Sequence, residues 1–182
     1  MPNAHHHALL CHPALAGDSP CTVTASATLA PDGSLRLEYH LRGTDILIPA
    51  RQTPGQADGL WQHTCCEAFV AAGEAPEYRE FNFSPSGQWA AYRFGDYRER
   101  DTGFTPAGEP QCTVTPRPEG FELQATLAAA LLPPGHTLHI GLTAVIEAAD
   151  GSKTYWALAH CAAQPDFHLR QSFALTLNRP TP

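Results

Sequence analysis

Apolar and polar positions along this chain alternate in short runs broken by turn residues, rather than recurring with a helical period. Residues 22–29 and 34–41 alternate on either side of Pro31-Asp32-Gly33, which suits a type I turn closed by a glycine bulge. That three-residue loop opposes Leu29 to Leu35, Ala27 to Leu37, Ala25 to Tyr39 and Val23 to Leu41. Every pair is apolar, so the register supports itself. A second hairpin turns at Ser84-Pro85-Ser86-Gly87. Read with a two-residue Pro85-Ser86 loop, it pairs Phe83 with Gln88, Phe81 with Ala90 and Arg79 with Tyr92. Phe81, Phe83, Ala90, Tyr92 and Phe94 then form a core face, opposite Tyr78, Glu80, Asn82, Trp89 and Arg93. A third hairpin is read as a two-residue turn at Asp150-Gly151. It sets Leu138, Ile140, Leu142, Ala144, Ile146 and Tyr155 toward the core, and Thr143, Glu147, Trp156 and His160 away from it.

The remaining segments fit the same plan. Residues 106–118 read as a loop and then a strand, and residues 121–126 as another strand. The alanine- and leucine-rich residues 127–132 make one helical turn before Pro133-Pro134 stops it. Residues 96–110 are the longest irregular stretch and the candidate mobile loop. Short strands separated by recurring turn chemistry predict an all-β antiparallel sandwich, one domain over residues 1–182.

Composition narrows the function classes. A net charge of −7, with eleven Lys and Arg and no basic run, argues against nucleic acid and against an anionic membrane surface. No apolar run approaches a membrane span, and the first residues lack the pattern of a secretory signal, so a cytoplasmic location is expected. Six scattered cysteines without a CxxC spacing read as free thiols, with Cys65 and Cys66 on opposite faces of a strand. His5, His6 and His7 read as a solvated terminus, though such a triplet also suits a metal.

Candidate chemistry concentrates in residues 60–94. Alternation over residues 60–70 puts Trp61, His63, Cys65, Glu67 and Phe69 on one strand face, with Trp61 and Glu67 ~20 Å apart at ~3.3 Å per residue. Asn82 and Arg93, and separately Trp156 and His160, occupy non-core faces of their strands. Gathered in one sheet, these groups would offer an indole to the C–H face of a sugar ring, and carboxylate, amide and guanidinium groups to its hydroxyls. The same residues admit a packing reading, in which both tryptophans fill core space and Glu67–Arg93 is a cross-strand ion pair.

The pattern W-x5-E followed by Y-x-x-F-x-F-x-x-x-G, at Trp61, Glu67, Tyr78, Phe81, Phe83 and Gly87, resembles the DOMON-like and family 9 carbohydrate-binding-module group. The closing segment, with Tyr155, Trp156, His160, Pro165, Asp166, Phe167, His168 and Phe173, is similar to the end of bacterial DOMON-like proteins. The resemblance implies a jelly-roll-type β-sandwich whose concave face binds a sugar or, in other branches, a haem. It implies that two aromatics clamp the ring, Trp61 and then Trp156, while Glu67 and Arg93 hold hydroxyls. No cofactor is expected on this reading. A haem branch would need His63, His160 or His168 as ligand, because the only methionine is Met1.

No catalytic constellation stands out. None of the cysteines sits on a nucleophile elbow or helix start, and nothing selects a pair of carboxylates for glycoside hydrolysis. His160, Asp166 and His168 fall around one loop, where they suit either a zinc or iron site or the capping of tight turns; the second is the reading adopted, with no metal assigned. The expected function is a non-catalytic module for a small ligand. Its site is Trp61, Glu67, Asn82, Arg93, Trp156 and His160, with His63, Asp166 and His168 as secondary members. A sandwich that docks a partner protein and binds no small ligand is the alternative from another class.

Overall fold

A computed structural model describes residues 5–15 and 21–180. Met1 and the two ends of the single-domain reading therefore lie outside the described residues. The strands are β1 (His7–Ala8), β2 (Leu10–Cys11), β3 (Cys21–Leu29), β4 (Leu35–Gly43), β5 (Gly55–Gln56), β6 (Cys65–Ala72), β7 (Tyr78–Phe83), β8 (Gln88–Phe94), β9 (Gln111–Arg117), β10 (Gly120–Leu127), β11 (Thr137–Glu147), β12 (Lys153–Ala157) and β13 (Leu175–Asn178). One sheet runs β1-β3-β4-β10-β9. The other runs β2-β12-β11-β6-β7-β8-β5, with β13 beside the first part of β11. Pairing is antiparallel except between β5 and β8. The all-β sandwich matches the alternation in the sequence, including a 3-10 turn at Ala129–Leu131 ahead of the two prolines.

The two sheets meet over a core of Leu35, Leu37, Tyr39 and Leu41 from β4, Phe121, Leu123 and Leu127 from β10, and Phe81, Phe83, Leu138, Ile140 and Leu142 from the larger sheet. Tyr39 is fully buried, and its hydroxyl crosses between sheets to donate to the Glu67 backbone carbonyl at 2.6 Å. That bond ties the strand carrying Glu67 to the opposite sheet. Tyr39→Phe is expected to cost about 1–2 kcal/mol, measured by urea unfolding, because a buried carbonyl loses its donor. All six cysteines are free. Burial pushes the Cys65 and Cys66 thiols far above their ordinary range, so both serve as packing groups.

The first hairpin has the expected register, with Leu29 opposite Leu35 and Val23 opposite Leu41. The second and third are each displaced by one residue. Phe83 faces Trp89, Phe81 faces Ala91 and Glu80 faces Tyr92. Val145 faces Tyr155, and Ala144 faces Trp156. The cause is loop length. In all three hairpins the loop has three residues and ends in a glycine at positive φ: Gly33 at 79°, Gly87 at 93° and Gly151 at 84°. The closing bonds repeat as well, with Ala30, Ser84 and Ala148 each taking the carbonyl four residues on and accepting from the loop glycine. Side chains just before each glycine (Asp32, Ser86 and Asp150) accept the backbone N–H two residues later. A one-residue slip exchanges the two faces of a strand, and it inverts β8 and β12 relative to the sequence reading.

Candidate functional site

The larger sheet carries a second apolar cluster on the face turned away from the sandwich core. Cross-strand rows set its chemistry. Thr143, Glu67, Asn82 and Ala90 lie side by side across β11, β6, β7 and β8. The next row is Gly141, Phe69, Glu80 and Tyr92, and the one beyond it ends in Tyr78 and Phe94. Gly141 leaves room for Phe173, whose ring would stand 3.1 Å from a Cβ there. The chain from Pro165 to Phe173 can therefore lie down on this face.

Between that chain, the sheet and the loop after β8 is a cavity of about 320 Å³. Aromatic walls come from Trp61, Phe69, Tyr92, Phe94, Tyr155 and Phe167; Glu67, Glu80, Arg98, Arg100 and His168 supply polar groups. Trp61 is 51% exposed, so its indole is presented at the mouth. Arg100 stacks 4.1 Å from the Tyr92 ring centroid and faces Asp58, which accepts from the Tyr92 hydroxyl. Arg98 pairs with Asp166 at 3.0 Å and donates its backbone N–H to the Tyr78 hydroxyl. It is the one non-glycine residue at positive φ (56°) among the described residues, a conformation that costs free energy and that Tyr78 and Asp166 hold in place.

The surroundings of the floor carboxyls favour their protonated forms. Burial, and then the neighbouring Glu80 charge, pushes Glu67 well above the usual carboxyl range. Glu80 is pushed up to about 7 by burial, against the hydrogen bond from Asn82 Nδ2. Thr143 donates to Glu67 Oε2, while Glu67 Oε1 and Asn82 Oδ1, on directly opposed residues, have no partner. A protonated Glu67 has a hydroxyl to donate where only acceptors otherwise stand. His168 is lowered to about 4, chiefly by burial and then by the Arg98 charge. The Tyr78 hydroxyl accepts from Arg98 N–H and stands 2.8 Å from His168 Nδ1, while His168 Nε2 stands 3.8 Å from Glu80. Because His168 is neutral at pH 7, that contact is not an ion pair.

These shifts act oppositely on stability. Glu80 keeps its proton more strongly when folded, so stability falls as pH rises from its ordinary 4.5 through about 7. His168 resists protonation when folded, so stability is lost as pH falls from 6.5 toward about 4. Above 6.5 only the carboxyl slope remains. Glu80→Gln retains an acceptor for Asn82 and is expected to raise Tm by several degrees at about pH 8, making the decline between roughly pH 6.5 and 7.5 shallower by the part that Glu80 contributes while the part due to Glu67 remains. Thermal melts across pH check this; an unchanged decline in the variant contradicts titration of Glu80 there.

The structure brings together only part of the sequence-predicted site. Trp61 and Glu67 line one cavity, although not as two ends of an extended strand. Leu60–Gln62 is a 3-10 turn and β6 begins at Cys65, so the expected ~20 Å extended spacing does not apply. Asn82 is fully buried beneath them, bonded to Glu80. His168 lines the cavity, and Asp166 holds Arg98 and accepts from the His168 N–H at 3.0 Å. Arg93, Trp156 and His160 do not belong to it. Arg93 lies on the opposite sheet face, paired with Asp101 and 5.3 Å from the Phe104 ring centroid. Trp156 packs against the inter-sheet core and donates to Thr154. The register slips exchanged both for Tyr92 and Tyr155. His160 bonds the Leu10 carbonyl and stands edge-on to His12 at 4.6 Å. His63 pairs with Glu147 at 2.7 Å and lines a different depression.

His160, Asp166 and His168 turn to separate partners and are not gathered into one cluster. Among the described residues, His168 is the histidine that lines the cavity, and its nitrogens face Tyr78 and Glu80. The sequence reading passed over Tyr92, Phe94, Arg98, Arg100 and Tyr155 as site members. The repeated Asp/Ser-Gly pair at the end of each hairpin loop is the signal that would have found Tyr92, Phe94 and Tyr155.

No family model and no curated protein matches this chain by sequence. Solved structures match its fold. A Bacteroides uniformis protein described as a candidate carbohydrate-binding protein aligns with a TM-score of 0.70 at 16% identity, over 97% of this chain and 87% of that one. A family 9 carbohydrate-binding module from Caldicellulosiruptor kristjanssonii in complex with glucose gives 0.60 at 12% identity, over 99% and 86%. A module of the same family and organism in complex with cellotriose gives 0.52 at 10%, over 86% and 73%. At these identities the likeness establishes a shared β-sandwich fold.

Proposed function

We propose that this protein is a non-catalytic module that binds a carbohydrate in the cavity on the outer face of its larger sheet. The observation that carries the reading is the joint presence, in about 320 Å³, of a half-exposed Trp61, further aromatic walls, and the polar groups of Glu67, Glu80, Arg98 and Arg100. The volume is at the small end of ligand sites, about 300–1,000 Å³. An indole matches the C–H face of a pyranose, and carboxyl and guanidinium groups match its hydroxyl edge. Fold neighbours in complex with glucose and cellotriose support the ligand class.

The carboxyl placement supports binding over hydrolysis. Glu67 and Glu80 rise from adjacent strands of one floor, so both meet a ligand from the same side. A glycosidase needs carboxyl groups on either side of the scissile bond. Isothermal titration with a panel of mono- and disaccharides, followed in parallel by tryptophan fluorescence, is expected to show saturable binding of at least one. Trp89 is buried and Trp156 packs on the core, so the fluorescence change reports Trp61. Absence of heat and of fluorescence change across the whole panel overturns the proposal.

A further inference from the structure

The opposite side of the molecule carries a cluster that the sugar cavity does not use. On the outer face of the smaller sheet, β4 projects Glu38 and His40, and the chain just ahead of β1 adds His6. His6 Nε2 stands 3.4 Å from Glu38 Oε2, and the His6 and His40 rings meet edge to face at 4.8 Å. One ligand atom from each of the three lies within 4.8 Å of the others. On β10, Glu122 stands 3.6 Å from His40 Nδ1 and also pairs with Arg117.

We propose that His6, Glu38 and His40 form a binding site for a divalent first-row transition metal, zinc being the best match. Two imidazoles and one carboxylate are a zinc-type donor set, and water can take the fourth position. Bonds of about 2.0–2.2 Å in a tetrahedron put ligand atoms roughly 3.3–3.6 Å apart. The His6–Glu38 pair already has that spacing, and the side chains are about one-third exposed, so rotation can bring His40 in without moving the strands. Register makes the site: His7 pairs with Ala25 and Ala8 with Thr24, which carries His6 toward Ser26 and so within reach of Glu38, the residue paired with Ser26. Alternation separates neighbours along an extended chain, so of the three consecutive histidines the middle one serves this face. Glu122, bonded to Arg117, stands next to His40 and is placed to orient its ring.

An ion held there would join the first strand to the centre of the smaller sheet, so binding has two readouts. Titration of the full chain with zinc chloride is expected to give one saturating equivalent, reversed by chelator. Amide exchange at His7 and Ala8 is expected to slow when zinc is present. Glu38→Gln and His40→Ala should each weaken binding about tenfold or more, and both positions are exposed enough for the variants to fold. His5→Ala/His7→Ala should bind as the parent does. The proposal is overturned if zinc gives no saturable binding, or if His40→Ala binds as tightly as the parent, since the histidine triplet alone is then the ligand.

Discussion

Trp61→Ala is expected to abolish detectable sugar binding while leaving the fold intact. The indole is half exposed on a 3-10 turn outside the strands, so its removal opens no core cavity and should cost less than about 1 kcal/mol of stability. In the cavity it is the most accessible aromatic platform. Losing a central aromatic anchor costs at least about 2 kcal/mol of binding, or roughly thirty-fold. Tyr155→Ala is expected to weaken binding as well, since that ring lines the same cavity. The contrast lies with Trp156→Phe and Arg93→Ala, whose side chains are on the other sheet face. Both should bind sugar as the parent does, and Trp156→Phe should lose stability instead. Calorimetry paired with thermal melts separates these outcomes. If Trp156→Phe loses affinity and Tyr155→Ala does not, the site has been placed on the wrong face.

Gly120→Ala is expected to lose about 3 kcal/mol of stability or more. Gly120 begins β10 at a φ of 125°, which a side chain rarely adopts, and a Cβ there would lie 2.1 Å from the Leu41 carbonyl oxygen. Neither the glycine nor Leu41 can retreat, because β10 is paired on both sides and Leu41 is fully buried. The methyl therefore forces the β4/β10 ladder apart at its end, next to Phe121 in the sandwich core. Urea unfolding measures the loss; a change below about 1 kcal/mol contradicts so close an approach of the two backbones.

How far the sequence carries can be read from individual strands. In β3 and β4 the core-side pairs Val23–Leu41, Ala25–Tyr39, Ala27–Leu37 and Leu29–Leu35 are all apolar and the pairs between them are polar, so hydrophobic pattern and turn chemistry select one register. Along β6, alternation correctly sets Glu67 and Phe69 opposite Cys66, Ala68 and Val70. On β8 and β12 both faces carry apolar or aromatic residues: Trp89 and Ala91 on one, Ala90, Tyr92 and Phe94 on the other, with Trp156 beside Tyr155. Alternation cannot orient a strand whose two faces look alike, and the turn length becomes decisive. Reading two loop residues where there are three was enough to replace Tyr92 and Tyr155 by Arg93 and Trp156.

The sequence by itself determined the all-β sandwich, the strands of its hairpins, and the non-core face of β6 and β7 on which Glu67 stands. Local alternation and turn chemistry act between near neighbours, which is why those features are visible in one dimension. Tertiary structure alone decided that the chain around Phe167 and Phe173 folds onto the sheet over Gly141, enclosing the cavity and burying Glu67 and Glu80 enough to raise both carboxyls above their ordinary range. It also brought Arg98 and Arg100 to the rim, and His6 beside Glu38 and His40. Enclosure, desolvation and the meeting of distant side chains depend on packing between segments far apart in the chain, where no local pattern records them.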